Sequence, residues 1–245
     1  MAQKDKILKK ALKFVQKGNF DKAVAEYRSA IDMDSDDASV RLRLGDLYVK
    51  TGQLDEAVKE YTSAAKSNAR RGFYLKAIAV YKRVLTIEKN TTDTHYKLAE
   101  LYTKQRLIAD AMSQYTIILN TFEQKGMDKE ELDILQKMVQ LDPSNLSIKH
   151  KLADMYRKLD FVDDAFNMYR LVCGKLFDAG NIKKAEDIYM ELYENYPEEP
   201  RVLTGLVDIY REKGDEEELL AYSSRLMSHY VQSGELDDAL EISKK

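Results

Sequence analysis

One cysteine, three prolines, three histidines and no tryptophan are spread through 245 residues, and each scarcity narrows what the chain can be. The single thiol, Cys173, rules out an internal disulfide framework. It lies mid-helix between Val172 and Gly174 with no flanking base to lower its pKa, so it reads as a small buried hydrophobe rather than a reactive thiol. With 44% hydrophobic residues, 33% charged residues and so little proline, the composition is neither disordered nor fibrous. No apolar run approaches the roughly 18 residues of a membrane span. The opening "MAQKDKILKK" also lacks the apolar stretch of a secretory signal, which together with the lone cysteine points to the cytoplasm. His95, His150 and His229 stand far apart without ligand spacing, whereas a metal site needs three or four converging ligands. Phosphate loops, dinucleotide fingerprints, H-E-x-x-H and C-x-x-C are all missing. No catalytic residue, metal or cofactor is therefore expected, and the chain does not read as an enzyme.

Glycine is scarce too, and its placement is informative. Of ten glycines, seven fall into two series. Gly18, Gly72, Gly126, Gly180 and Gly234 follow one another at intervals of 54 residues; Gly52 and Gly214 begin and end the second series, with Arg106 and Asp160 at its intermediate places. A fixed period of this kind marks a solenoid of stacked supersecondary units. Between these punctuation marks the apolar residues recur at helical spacing. Ile7, Leu8, Ala11, Leu12, Phe14 and Val15 form the first helix, which Gly18 stops, because glycine accepts the left-handed conformation that ends helices. Phe20, Ala23, Tyr27, Ala30 and Ile31 form the next, and the cap-rich "SDDAS" at 35–39 breaks the chain.

The organisation expected is a single solenoid over residues 1–245. It comprises an N-terminal helix pair (4–37), three full units (38–91, 92–145 and 146–199) and an incomplete fourth (200–245). Each unit has three helices, the first at about 38–51, the second at about 54–71 and the third at about 74–89 in the opening copy. Units two and three close at Pro143 and Pro197. Alanine followed four residues later by tyrosine recurs at Ala23–Tyr27, Ala57–Tyr61, Ala77–Tyr81, Ala111–Tyr115, Ala165–Tyr169 and Ala185–Tyr189. The small residue lets two helices approach and the ring fills the space beside it. Glu131–Leu135, Leu219–Ser223 and Ala239–Ser243 depart from this step, and looser packing is expected there.

Gly45, Tyr48, Gly52, Ala57, Tyr61 and Ala64 resemble the tetratricopeptide repeat, a helix-turn-helix of 34 residues. Leu98, Ala99, Tyr102, Ala111 and Tyr115, and again Leu152, Ala153, Tyr156, Ala165 and Tyr169, fit further copies. The resemblance implies an all-α fold, a right-handed α-solenoid of about 14 antiparallel helices. The start points alternate by 34 and 20 residues, so the second helix of each unit closes one repeat and opens the next. Long-helix adaptors such as α-SNAP are similar in that respect. With three helices per unit, the sequence leaves open which face is concave.

The resemblance further implies a non-catalytic scaffold or adaptor, cytoplasmic and of bacterial type, that binds a partner protein or peptide along its groove. Asp46, Glu100, Asp154 and Asp208 occupy one equivalent position on the first helices, and Lys50, Lys104 and Lys158 follow four residues later. An acid four residues ahead of a lysine makes a favourable surface pair. In tetratricopeptide repeats this face commonly lines the groove, so these residues become candidate contacts together with Tyr96, His150, Arg157 and Arg211. Clamps for a C-terminal carboxylate carry asparagine where this chain has Asp46, Glu100 and Asp154; acids there favour internal segments of mixed charge. A second acidic series, Glu56, Asp110, Asp164 and Glu218, sits where the helix dipole favours acids and needs no function.

Charge is unevenly spread. Residues 1–122 hold 22 Lys and Arg against 15 Asp and Glu, giving +7, and residues 123–245 hold 17 against 27, giving −10. Such an asymmetry can be drift on solvated faces, can steer a partner, or can drive head-to-tail self-association. The lysine-rich first helix reads as a solvated cap, or as a face for anionic membrane or an acidic partner. The alternative function is RNA binding by helical repeats, which the acidic second half opposes. The chain begins with the second helix of a unit and breaks off within a third, as expected for a fragment of a longer array or an end covered by a partner or second copy.

Overall fold

A computed structural model describes residues 2–89 and 91–244; the side chains of Ala2, Ser243 and Lys244 lie outside what it describes, as do Met1, Asn90 and Lys245. Among the described residues every regular element is helical, and there are fourteen helices. They group into two compact units, Met1–Met127 and Asp128–Lys245. Unit 1 contains α1 (Ala2–Gln16), α2 (Phe20–Met33), α3 (Ala38–Lys50), α4 (Leu54–Arg70), α5 (Tyr74–Ile87), α6 (Thr92–Lys104) and α7 (Ile108–Lys125). Unit 2 contains α8 (Asp128–Leu141), α9 (Leu146–Lys158), α10 (Val162–Asp178), α11 (Ile182–Asn195), α12 (Pro200–Lys213), α13 (Glu216–Ser233) and α14 (Leu236–Lys244). Within each unit every helix packs on the next in sequence, so each interior helix is shared between two successive pairs.

The turns follow the sequence period. All seven glycines of the two series have positive φ, and Arg106 (φ 57°) and Asp160 (φ 64°) adopt the same conformation without being glycine. In each turn the amide beyond that residue bonds a carbonyl of the preceding helix, as from Gln53 to Tyr48 and from Leu107 to Tyr102, both at 2.9 Å. These bonds satisfy carbonyls that a helix end would otherwise leave open. The start of α3 is capped as its sequence suggests, the Asp37 carboxylate accepting from the amides of Ser39 (2.9 Å) and Val40 (3.1 Å), and Asn145 caps α9 through the Ile148 amide.

The alternation of alanine and tyrosine builds the core, for all six pairs are buried. Burying a ring of this size stabilises by about 1.5–3 kcal/mol, provided its hydroxyl finds a partner. At Gly45 the approach is closer still: a Cβ there would lie 2.5 Å from the Tyr61 ring. At the first two departures other side chains fill the contact, while α13 and α14 leave Leu220, Val231, Leu236 and Leu240 exposed, in line with the looser packing expected there. Leu135 is 1% exposed, and in α13 the aromatic moves one place to Tyr222, which stacks on Tyr210 with centroids 5.4 Å apart. Ala239 is buried too; its partner Ser243 lies outside the described side chains. Cys173 is buried, and burial pushes its thiol up to about 12, away from thiolate chemistry.

Candidate functional site

The patterned acids of the first helices have partners other than those their spacing suggests. Asp46 accepts a hydrogen bond from the Tyr61 hydroxyl at 2.6 Å and pairs with Arg83 of α5, which also donates to that hydroxyl at 2.8 Å. Asp154 does the same for Tyr169 at 2.6 Å, with Arg157 at 3.8 Å and His150 at 3.9 Å beside it. Burial first, and then the neighbouring carboxylate, raise both tyrosine hydroxyls well above their ordinary 10.0, so both remain neutral donors. These two acids therefore satisfy hydroxyls of core rings. Glu100 pairs with Lys97 (3.1 Å) and Asp208 with Arg211 (3.1 Å). The lysines turn to other helices: Lys50 lies over the Phe20 ring at 4.9 Å, Lys104 over Tyr74 at 5.5 Å, and Lys158 reaches Asp128 at 2.7 Å. Arg157 also bonds Glu191 of α11 at 3.0 Å, and Tyr96 meets Tyr115 edge to face.

Two grooves, one in each unit, gather part of this set. In unit 1 a groove of about 630 Å³ runs between α4 and α6. Tyr81 of α5 lies at its floor; Lys66 and Arg70 stand on one wall, and Lys97, Glu100 and Lys104 on the other. Arg41, Ser35 and Asp36 close one end. In unit 2 a groove of about 380 Å³ runs between α10 and α12 over Tyr189 of α11, lined by Arg170, Asp178, Asp208, Arg211 and Glu212 among others. Two steps of the 54-residue period carry one groove onto the other, Tyr81 onto Tyr189 and Glu100 onto Asp208. Glu100 and Lys104 are thus brought to the first groove and Asp208 and Arg211 to the second. Asp46, Lys50, Tyr96, His150, Asp154, Arg157 and Lys158 line neither.

The groove walls come from the second helix of one unit and the first helix of the next. The candidates picked out by spacing all lie on first helices, whereas Lys66, Arg70 and Asp178 of the groove walls lie on second helices. The signal was present in the length of α4 (17 residues) and α10 (17 residues) against 13 for α3 and α9, since the added turn carries Lys66 to Arg70 and Gly174 to Asp178.

The lysines of α1 are partly engaged: Lys4 bonds Asp34 and Asp37, both at 2.7 Å, and Lys10 pairs with Glu26. Leu12 of the same helix is exposed rather than packed. His95 is buried, with Nδ1 2.8 Å from Gln114 Oε1. No helix among the described residues is long and apolar enough to cross a membrane.

The sequence profile of the tetratricopeptide repeat matches residues 14–72. Over that segment the chain is similar to the tetratricopeptide repeat. The matched stretch takes in α3, α4 and the turn at Gly52, with Gly45, Tyr48, Ala57 and Tyr61 at the helix contacts. The turns and alanine–tyrosine contacts of this tetratricopeptide repeat segment recur through both units. Curated protein sequences give no match. Among solved structures, a human IFIT1 dimer with PPP-AAAA is similar at 15% identity and a TM-score of 0.34, covering 84% of this chain and 58% of that one. The chain thus spans less than two thirds of IFIT1. The pilF protein of Pseudomonas aeruginosa is similar at 17% identity and a TM-score of 0.31, covering 99% and 97% of the two chains. A tetratricopeptide repeat protein from Parabacteroides merdae is similar at 16% identity and a TM-score of 0.26, with both chains covered in full.

Proposed function

We propose that the chain is a non-catalytic scaffold that binds a partner protein through extended segments laid in the grooves over Tyr81 and Tyr189. Tetratricopeptide repeats generally mediate protein–protein interaction, and the matched segment brings that expectation to this chain. The observation that carries the reading is the recurrence of one groove at equivalent places in the two units, each with charged walls over a tyrosine floor. A groove of this kind suits a peptide whose backbone runs along it and whose side chains meet the wall charges. Glu100, Lys104, Asp208 and Arg211 are the proposed contacts from the first helices, and Lys66, Arg70 and Asp178 those from the second. Asp46 and Asp154 are assigned to the core tyrosines instead. In this reading the protein works in the cytoplasm and uses no cofactor.

The test is an array of short peptides of varied charge, probed with the wild-type protein and with Lys66→Glu/Lys104→Glu. These side chains are exposed, so the exchange should leave the fold intact. The wild type is expected to retain a defined subset of peptides, and the variant to lose the acidic members of that subset. Indifference of every retained peptide to the exchange, with no loss from an equivalent change in the unit 2 groove, would remove the grooves from the account. If single-stranded RNA were retained and peptides were not, the RNA reading would replace it.

A further inference from the structure

The two equivalent grooves differ in a systematic way. Of the five cations lining the unit 1 groove, Lys66, Arg70, Lys97 and Lys104 are exchanged, two periods on, for Gly174, Asp178, Gly205 and Glu212, while Arg170 and Arg211 line the unit 2 groove in place of Thr62 and Thr103. Of those four cations, two become acids and two lose their side chains altogether, one on each wall.

The two glycines differ in cause. A Cβ on Gly205 would lie 2.2 Å from the Tyr189 ring, so that position is glycine because the ring packs against the α12 backbone. Gly174 is unconstrained: a Cβ there meets no atom within 4 Å beyond its own helix, and φ is not in the left-handed region. A glycine in a helix interior is destabilising relative to alanine. Packing does not demand Gly174, yet it leaves open a recess lined by Cys173, Phe177, Tyr189 and Ile209. Of these Cys173, Tyr189 and Ile209 are buried and Phe177 half-buried. Asp178, Asp208 and Glu212 line that recess together with Arg170 and Arg211, which leaves one acid in excess. Arg211 neutralises Asp208 at 3.1 Å and Lys175 lies 3.3 Å from Asp178, whereas Glu212 is exposed.

We infer that the unit 2 groove is an anchor pocket for one bulky apolar side chain of a partner segment, with basic residues flanking that side chain. The inference rests on the scaffold reading and names the partner chemistry of one of its two grooves. An anchor inserted over Gly174 removes its own apolar surface and that of Phe177 from water, while the excess of acids favours lysine or arginine beside it. The unit 1 groove, with cations in place of both glycines, Asp178 and Glu212, and with Glu100 in place of Asp208, lacks the recess and selects the opposite charge.

Three short synthetic peptides serve as probes: a central Phe flanked by lysines, the same Phe flanked by glutamates, and the lysine peptide with Ala for Phe. Binding to the full chain is read by fluorescence anisotropy at low salt. The lysine–Phe peptide is expected to bind at least about tenfold more tightly than either of the others. Gly174→Leu fills the recess from an exposed helix position. It is expected to weaken that peptide by about tenfold or more while raising the melting temperature, so lost binding cannot be ascribed to lost fold. Asp178→Lys/Glu212→Lys should shift preference toward the glutamate peptide. Equal binding of the three peptides, absence of binding by all, or unchanged binding by a folded Gly174→Leu would each overturn the inference. Peptides from the array that bind wild type and Gly174→Leu alike would leave the scaffold reading standing without the pocket. No binding in either experiment would end both.

Discussion

At nine turns the backbone takes the same left-handed conformation, and seven of them are glycine while Arg106 and Asp160 are not. An L-residue there places its Cβ against the following carbonyl, a cost that glycine avoids. Replacing Arg106 or Asp160 by glycine is therefore expected to stabilise its unit by about 0.5–1 kcal/mol. Gly52→Ala should destabilise by a similar amount, since a Cβ there meets no atom and only the backbone term changes. Chemical denaturation of the three variants checks both signs. The glycines that remain act differently: Gly45 and Gly205 admit a neighbouring ring, while Gly174 admits no atom of its own chain.

Among the elements, α11 shows most clearly what the sequence could and could not tell. Its alanine–tyrosine step, the turn at Gly180 and the close at Pro197 were legible, because each depends on local spacing. Glu186 was not. It is 7% exposed, bonded by Lys213 at 2.8 Å and by the Tyr210 hydroxyl at 3.0 Å, both from α12. The Lys213 bond and that of Tyr210 hold the carboxyl below its ordinary 4.5, against the opposing effect of burial. A carboxyl whose folded value is depressed stabilises fully above its unfolded value and loses that contribution as the pH falls through the folded one. The stability difference between wild type and Glu186→Gln, followed by thermal melting, should accordingly be constant above about pH 4.5 and shrink below it. A difference that grew on acidification would contradict this assignment. The pairing of Asp46 was hidden for the same reason: its partner Arg83 is 37 residues away on another helix, and a spacing rule sees only the lysine four residues on. Distances between helices within a unit decide such pairings, and they emerge only after packing.

At the scale of the whole molecule, the division of charge found along the sequence nearly coincides with the division into units. Unit 1 spans residues 1–127 with 23 Lys and Arg against 16 Asp and Glu, net +7; unit 2 spans 128–245 with 16 against 26, net −10. The same contrast recurs inside the two equivalent grooves, where cations give way to acids and glycines. On the proposed reading the two equivalent grooves select partner segments of opposite charge, as a scaffold needs in order to place different segments on different units. The repeat period and helix boundaries were legible because turns and buried rings repeat in register. The grooves were not, because their walls pair a second helix with the first helix of the following unit. The most direct measurement is amide hydrogen exchange on the full chain, with and without a peptide retained by the array. The account predicts slowed exchange in α4–α6 or α10–α12, the helices that form one groove or the other, with the remaining helices of that unit unchanged. Slowing confined to helices that line neither groove would contradict it.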